Sequence, residues 1–184
     1  MENGNDLYRR FLEGDELAFE SLVMRYKNNL INFIFRYVRN ADTAEDIAQD
    51  SFVELLVHRH RFNFKTSVKT YLFTIAKNKA LNFLKKQKRH PQTDISSCEY
   101  FLISAENTED GIIKRERAEA LKKCLGKIPD DYAEALYLAY IEGLSVSDTA
   151  KVMNKNKKQT ENLIFRGKAA ARAELIKEGI SLED

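Results

Sequence analysis

Helical periodicity runs through most of the sequence and restricts the chain to an all-α fold. In residues 70–89 the apolar residues recur at the spacing of one buried helix face: Leu72, Ile75, Ala76, Ala80, Phe83 and Leu84. Strand patterns are nearly absent, and two prolines and seven glycines are the only strong breakers in 184 residues. The pattern predicts helices near residues 5–13, 16–39, 42–60, 67–89, 112–126, 130–142, 146–153 and 157–178.

A break in this pattern divides the chain into two predicted domains. Between Pro91 and Gly111 the sequence is mostly polar and has no clear period, which is typical of a linker. An apolar group, Tyr-Phe-Leu-Ile at residues 100–103, interrupts the polar composition. We expect a helical domain at residues 1–91, a flexible linker at 92–111 and a second helical domain at 112–184.

Basic residues are concentrated in one tract of the first predicted domain. The segment from residue 55 to residue 93 contains ten lysines and arginines and no acidic residue, and Phe62, Phe64, Tyr71 and Phe73 are interleaved with them. A solvated helix face would normally mix charges of both signs, because opposite charges one turn apart favour the helix. The net charge of the chain is only +2, so this segregation, rather than total charge, indicates a nucleic-acid partner.

The second predicted domain has the outline of a helix-turn-helix. Gly143 ends one helix, and Ser145 precedes the short segment VSDTAKVM with Asp148 in a capping-box position. Asn154, Lys155 and Asn156 form a three-residue turn before a longer helix, and residues 151–172 carry seven basic residues against one acid. In this motif the second helix enters the major groove of duplex DNA.

The predicted helix near residues 42–60 carries the opposite charge. Five acidic or amide residues share one of its faces: Asp42, Glu45, Asp46, Gln49 and Asp50. Three interpretations fit this face: a solvated surface, a contact with a basic protein, or Mg²⁺ bound for phosphate chemistry. The third needs carboxylates from a facing helix, and no second DxxxD segment occurs.

Other features exclude whole classes of function. No apolar run approaches the roughly 18 residues of a membrane span, and MENGNDLYRR lacks a signal-peptide core, so we expect a cytoplasmic protein. Cys98 and Cys124 have no metal-ligand spacing, and Cys124 is predicted to be a small buried residue. Phosphate-binding glycine loops, GxSxG and HExxH are missing. We therefore expect no enzyme activity, no metal and no cofactor.

Five segments, in this order, resemble the extracytoplasmic-function (ECF) sigma factors, the compact two-domain class of bacterial RNA polymerase specificity subunits. They are GDELAFESLVMRY, AEDIAQDSFVELL, KTYLFTIAKNKALNFLKKQKR, IPDDYAEALYLAYIEGLSVSDTAKVMNKNKKQT and NLIFRGKAAAR. The resemblance covers about Leu7 to Leu175. It implies a subunit that binds the β and β′ subunits of core polymerase, recognises two promoter elements and is often held inactive by an anti-sigma factor.

The resemblance also assigns roles to individual residues. The acidic face of Asp42, Glu45, Asp46, Gln49 and Asp50 would bind core polymerase. The minus-ten element would be recognised and opened by Arg61, Phe62, Asn63, Phe64, Lys65, Lys69, Tyr71, Thr74, Lys77, Asn78, Asn82, Lys85, Lys86 and Arg89, with a flipped base held by the RFNFKTS loop. The minus-thirty-five element would be read as duplex by Lys155, Lys157, Lys158, Gln159, Thr160, Asn162 and Arg166.

The sequence departs from the family pattern at several of these positions. Tyr71 stands where tryptophan is common and Asn82 where aspartate is frequent, while Lys77 and Lys85 replace arginines that would make bidentate contacts. Gln159 and Glu161 likewise replace a threonine and a lysine, so promoter sequences do not carry over.

Two alternatives remain open from the sequence. The first is a free-standing helix-turn-helix regulator that binds duplex DNA without polymerase. The second is a metal-dependent phosphohydrolase, which would require Mg²⁺ at Asp42, Asp46 and Asp50.

Overall fold

The chain folds into two separate helical units. The computed structural model describes residues 3–89 and 123–177, and all regular elements within them are helical. The units comprise Met1–Leu102 and Ile103–Asp184. The all-α class and the two helical domains are therefore confirmed. The predicted boundaries at residues 91, 92, 111 and 112 lie outside the described residues, as do Cys98 and the apolar group at residues 100–103.

Unit 1 contains four described α-helices: α1 (Gly4–Leu12), α2 (Glu16–Val38), α3 (Ala41–Val57) and α4 (Val68–Arg89). The first three begin at polar N-caps, because the side chains of Asn3, Asp15 and Asn40 accept hydrogen bonds from first-turn amides. The predicted single helix at 42–60 is wrong at its end. It stops at Val57, and a 3₁₀ turn follows at Arg59–Arg61.

The early end of α3 has a tertiary cause. The hydroxyl of Tyr8 on α1 donates to the carbonyl oxygens of Leu55 (3.1 Å) and Arg59 (3.3 Å). These carbonyls belong to the last turn of α3 and the turn after it. If α3 continued, backbone N–H groups of its next turn would donate to them, and the Tyr8 hydroxyl of α1 donates in their place. The helix end and the loop that follows are thus attached to α1.

The core of unit 1 lies where α2 packs against the other three helices. Its fully buried side chains include Leu22, Leu30, Phe33, Leu72 and Phe73, and the Phe33 and Phe73 ring centroids are 5.0 Å apart. Each such residue contributes about 1.5–3 kcal/mol through burial. Periodicity alone predicts Leu72 in the buried stripe of α4, and the structure confirms it.

Unit 2 contains α5 (Asp130–Leu136), continued by a π-helical turn (Tyr137–Ile141), then α6 (Val146–Met153) and α7 (Lys157–Lys177). The Glu142 amide donates to the Tyr137 carbonyl at 3.0 Å, and Gly143 then turns the chain with a φ of +66°. Cys124 is buried as predicted, and its thiol donates to the Ala171 carbonyl with a sulfur–oxygen distance of 3.3 Å.

Helix α7 passes very close to α5. Gly167 is buried at this crossing, and a Cβ added there would lie 3.1 Å from the Leu136 Cγ and 3.3 Å from the Tyr132 Cβ. Nine in ten real Cβ contacts are longer than such a spacing, so a larger residue at this position would require Leu136 or Tyr132 to shift by a few tenths of an ångström. Within residues 3–89 and 123–177, none of the helices combines the length and the apolar character that a bilayer crossing requires.

Candidate nucleic-acid and protein interfaces

Aromatic rings fill the space between α1, the 58–67 loop and α4. Phe62 lies at the centre, with ring centroids 5.4 Å from Tyr8, 4.7 Å from Phe64 and 5.3 Å from Tyr71. Phe62 is 7% exposed, whereas Phe64 and Tyr71 are half-buried. The prediction that Phe62 walls a base pocket is therefore corrected: its ring supports the two neighbouring rings, and these have surface to offer a base.

The 58–67 loop is held in an unusual backbone conformation. Phe64 has a φ of +57°, in the left-handed region that non-glycine residues occupy at a cost of about 1–2 kcal/mol. The Asn63 side chain accepts a hydrogen bond from the Lys65 amide at 3.1 Å. The side chains of Arg61, Asn63 and Lys65 are exposed around this turn. The strained backbone of Phe64 thus places its ring beside three exposed polar side chains, at a cost in folding free energy.

Tyr8, whose hydroxyl holds the beginning of this loop, has a pKa that burial raises. Removal from water raises its pKa to about 12, and the nearby Tyr71 adds to the increase while Arg59 opposes it. An unfolded tyrosine loses its proton near pH 10, whereas the folded phenol keeps it until about pH 12. The unfolded state therefore binds fewer protons in this window, and stability falls as pH rises.

We expect the free energy of unfolding to decrease by about 2 kcal/mol between pH 10 and pH 12 because of Tyr8. Urea denaturation of the wild-type chain and of Tyr8→Phe across this range measures the effect. The difference between the two curves isolates Tyr8 from Tyr26, whose pKa burial also raises. Parallel pH profiles would show that Tyr8 does not titrate this way.

A polar stripe runs along α4 from the aromatic cluster to the helix end. Its members recur at steps of three and four residues, and the stripe extends for about 27 Å. Tyr71 and Thr74 are half-buried, and the others are exposed: Asn78, Asn82, Lys85 and Arg89, with Lys86 beside them. The predicted amides and end cations therefore lie on one accessible surface.

Three of the predicted contacts on α4, at Lys69, Thr74 and Lys77, lie deeper than expected. Lys77 is only 9% exposed, and Lys69 is half-buried with its ammonium 5.5 Å from the Phe73 ring centroid. The Thr74 hydroxyl donates to the Thr70 carbonyl at 2.8 Å. Because Lys77 is nearly buried, its predicted phosphate contact is corrected to an interaction within the fold. The predicted phosphate contact of Lys69 stays a prediction.

The predicted acidic face lies on the outside of α3. Asp42, Asp46, Gln49 and Asp50, hereafter the acidic surface, are all exposed. Among the described residues no cation lies within ion-pairing distance of its three aspartates. Glu45 differs, because its carboxylate lies 2.8 Å from the Lys27 ammonium of α2, and this contact lowers its pKa. Glu45 is thus already partnered within the unit.

Exposed apolar residues extend the acidic surface, and the sequence analysis missed them. Val53, Leu56 and Val57 are 54%, 40% and 64% exposed, and they follow Asp46, Gln49 and Asp50 at helical spacing. Their helical period could have identified this second, outward apolar face of α3. Residues 3–89 and 123–177 contain no group of three or more His, Cys, Asp or Glu side chains able to hold a metal ion.

In unit 2, the predicted helix-turn-helix is formed by α6, a turn and α7. The Ser145 hydroxyl caps α6 by accepting from the Asp148 amide at 3.1 Å, and Asn154 ends it with a φ of +53°. At the start of α7, the Asn156 side chain accepts from the Gln159 amide at 2.8 Å, and the Gln159 side-chain oxygen accepts from the Asn156 amide at 2.9 Å. This reciprocal capping box fixes the first turn of α7.

The exposed side chains in the N-terminal half of α7 match most, but not all, of the predicted base readers. Lys157, Lys158, Gln159, Asn162 and Arg166 are exposed, and Lys155 pairs with Asp131 at 3.1 Å. Thr160 is fully buried, and its hydroxyl donates to the Asn156 carbonyl. Its predicted contact with a base is corrected, because the side chain faces the core of unit 2.

An open apolar groove of about 250 Å³ also lies in unit 2, and the sequence analysis did not predict it. Apolar side chains of α5, its π-helical turn, α7 and the segment before α5 line it, with Lys168 and Arg172 beside them: Leu125, Leu136, Tyr140, Ile141, Ala171 and Leu175. The Lys168 ammonium lies 4.8 Å from the Tyr140 ring centroid. The π-helical turn brings Tyr140 and Ile141 to this groove, and helical spacing alone does not reveal such a turn.

Comparisons with known proteins agree with both units. The sequence model described as Sigma-70 region 2 matches residues 22–90, and that described as Sigma-70, region 4 matches residues 118–170. The RNA polymerase sigma-H factor of Pseudomonas aeruginosa is 30% identical over 178 residues, which cover 92% of each chain. The ECF RNA polymerase sigma factor SigW of Bacillus subtilis is 28% identical and covers 89% of this chain and 91% of its own.

A solved structure shares the fold. The sigma factor RpoE from Bartonella quintana, in complex with the anti-sigma factor NepR, matches with a TM-score of 0.64. The two chains are 21% identical, and the match covers 86% of this chain and 96% of the other. The matched sequence models and the near full-length relatives show that this chain belongs to the extracytoplasmic-function class of the sigma-70 family of RNA polymerase sigma factors.

Proposed function

We propose that the promoter-directing activity of this sigma factor is divided among three surfaces. The acidic surface of α3, extended by Val53, Leu56 and Val57, binds core RNA polymerase. The 58–67 loop and the polar stripe of α4 bind the minus-ten element as its strands separate. The exposed first turn of α7 reads the minus-thirty-five element in the duplex.

The observation that carries this proposal is the separation of charge on neighbouring helices of unit 1. The described cations of the α4 stripe have no acidic neighbour on their helix, whereas α3 exposes three aspartates without a described partner. A negative surface repels DNA but attracts a basic protein segment, and a basic surface does the reverse. One small unit therefore has separate surfaces for a protein and for DNA.

The minus-ten surface suits single-stranded DNA better than duplex. Half-buried Phe64 and Tyr71 offer ring surface on which an unpaired base can stack, and Asn63 offers an amide to its edge. Asn78 and Asn82 continue this surface along α4, and Lys85, Lys86 and Arg89 neutralise backbone phosphates without specifying sequence. Chemistry belongs to the polymerase, so this subunit acts by binding and not as an enzyme.

The same proposal covers location and regulation. The protein acts in the cytoplasm with the polymerase, needs no cofactor, and is restrained by an anti-sigma factor. Its relation to an RpoE structure solved with the anti-sigma factor NepR supports such a partner.

Run-off transcription tests the proposal. Purified bacterial core polymerase is incubated with a pool of genomic fragments, with and without this protein. We expect new transcripts whose start sites share two upstream elements. A protein that binds duplex DNA tightly alone and yields no transcript would instead be a free-standing regulator.

Gln159 both caps α7 and is proposed to contact a base of the minus-thirty-five element. Two substitutions at this position can therefore separate DNA recognition from the stability of the helix. Its side-chain oxygen caps α7, so only its NH₂ group remains to donate to a base. Gln159→Glu keeps an oxygen for the cap but replaces the donor by a negative charge facing DNA. We expect an unchanged melting temperature and about tenfold weaker binding of duplex promoter DNA by the holoenzyme.

Gln159→Ala is the comparison variant, because it removes both the cap and the donor. It is expected to lower the melting temperature as well as DNA affinity. Equal DNA affinity of Gln159→Glu and wild type would remove Gln159 from the reading surface.

A further inference from the structure

Helix α1 lies outside the part of the chain that the region 2 sequence model matches, which begins at residue 22. It nevertheless contacts the proposed minus-ten surface at several points. The Tyr8 hydroxyl bonds to the Leu55 and Arg59 carbonyls on either side of the beginning of the 58–67 loop. Its ring also packs against Phe62 and Phe64. The first part of the loop is thus held against α1 by hydrogen bonds and ring packing.

The other end of the loop is attached to the same helix. The Asn5 side-chain oxygen accepts a hydrogen bond of 2.7 Å from the Val68 amide, the first residue of α4. This amide has no partner within its own helix, so α1 supplies a cap from 63 positions away in the sequence. Asn5 and Tyr8 together fix both ends of the loop relative to α1.

Arg9 places a positive charge directly against this loop. Its guanidinium carbon lies 5.0 Å from the centre of the Phe64 ring, and the side chain is exposed. Among the described residues no carboxylate pairs with it, whereas the next residue, Arg10, is bound to Asp15. A guanidinium stacked on a ring keeps its N–H groups available at the edges. The positively charged surface formed by Arg61 and Lys65 therefore continues onto α1 through Arg9.

We propose that Arg9 is a further promoter-contacting residue, which binds a phosphate of the single strand next to the base held by the 58–67 loop. Phe64 holds the guanidinium in place, and Asn5 and Tyr8 are positioning residues that set the distance between α1 and the loop. This inference rests on the proposed function of the loop. It adds α1 to the minus-ten surface.

The test measures the affinity of the holoenzyme for a fluorescein-labelled single strand from the minus-ten region of a promoter identified by run-off transcription. Arg9→Ala is expected to weaken binding about tenfold. It should also reduce the slope of log affinity against log salt concentration by about 0.7, the value for one lost phosphate contact on a single strand. Arg9→Lys should keep the slope, because it keeps the charge.

Arg10→Ala is the matched control, since it removes the same charge from the same helix without touching the loop. It is expected to bind the strand as wild type does, and an equal loss with Arg10→Ala would overturn the inference. Lys65→Ala tests the loop itself. If Lys65→Ala weakens binding and Arg9→Ala changes neither affinity nor slope, the inference fails and the proposed function stands. If no promoter is found, or neither variant has an effect, both fail.

Discussion

Replacing both Asp46 and Asp50 by lysine is expected to weaken binding of core RNA polymerase by about 100-fold or more. The two carboxylates are exposed on adjacent turns of α3 and have no partner among the described residues. Their reversal removes two attractions to a basic polymerase segment and introduces two repulsions, each of which costs free energy at an interface. Binding of labelled protein to core enzyme, measured by fluorescence anisotropy, gives the affinity.

The fold should tolerate this reversal, because neither side chain holds another part of unit 1. The matched control is the double reversal of Glu13 and Glu20, which are also exposed acids of unit 1 and change the net charge equally. We expect the control to bind core enzyme nearly as wild type does. Equal losses from the two variants would mean that net charge, and not the acidic surface, determines binding.

Replacing Phe62 by alanine is expected to cost about 3–5 kcal/mol of the free energy of unfolding. The ring is buried and contacts three other aromatic rings, so its removal leaves a cavity beneath Phe64 and Tyr71. Phe64 then loses the packing that stabilises its left-handed backbone. We expect binding of single-stranded minus-ten DNA to fall by about tenfold or more under conditions in which the variant stays folded.

Phe33→Ala separates the loss of stability from the loss of single-stranded DNA binding. Phe33 is fully buried and packs on Phe73, away from the loop, so its loss should cost comparable stability. We expect the folded Phe33→Ala protein to bind single-stranded DNA normally. Urea denaturation and strand binding, measured on both variants, make the comparison. If Phe62→Ala, while folded, binds the strand as wild type does, the aromatic cluster does not shape the minus-ten surface.

Local sequence patterns were sufficient for most of the helices and for their outer faces. The period of apolar residues identified α4, and the cap signal at Ser145 identified α6, because both depend on residues within a few positions of one another. Charge segregation likewise identified the exposed aspartates of α3. These features need no knowledge of what packs against the helix.

Depth of burial could not be predicted in the same way. Lys77 and Thr160 lie on faces that the helical period allows to be exposed, and a neighbouring element covers each of them. The bonds from Asn5 and Tyr8 to the residues that flank the 58–67 loop join positions 47 to 63 residues apart, so no local pattern contains them. Gln159 was predicted as a base reader, but its oxygen is committed to a cap on α7. The spacing of Asn156 and Gln159 is that of a capping box and could have identified this cap from the sequence.

Gly167 lies where α7 passes closest to α5. It is the eleventh of the 21 residues of α7, so the rod-like helix extends about equally to either side of its closest approach to α5. The first turn of α7 lies roughly 12 Å from this point. A methyl group at this position would require Leu136 or Tyr132 to shift by a few tenths of an ångström, and any rotation of α7 that accompanied the shift would also displace its first turn. The small size of Gly167 therefore bears on the position of the first turn of α7 as well as on the packing of α7 against α5.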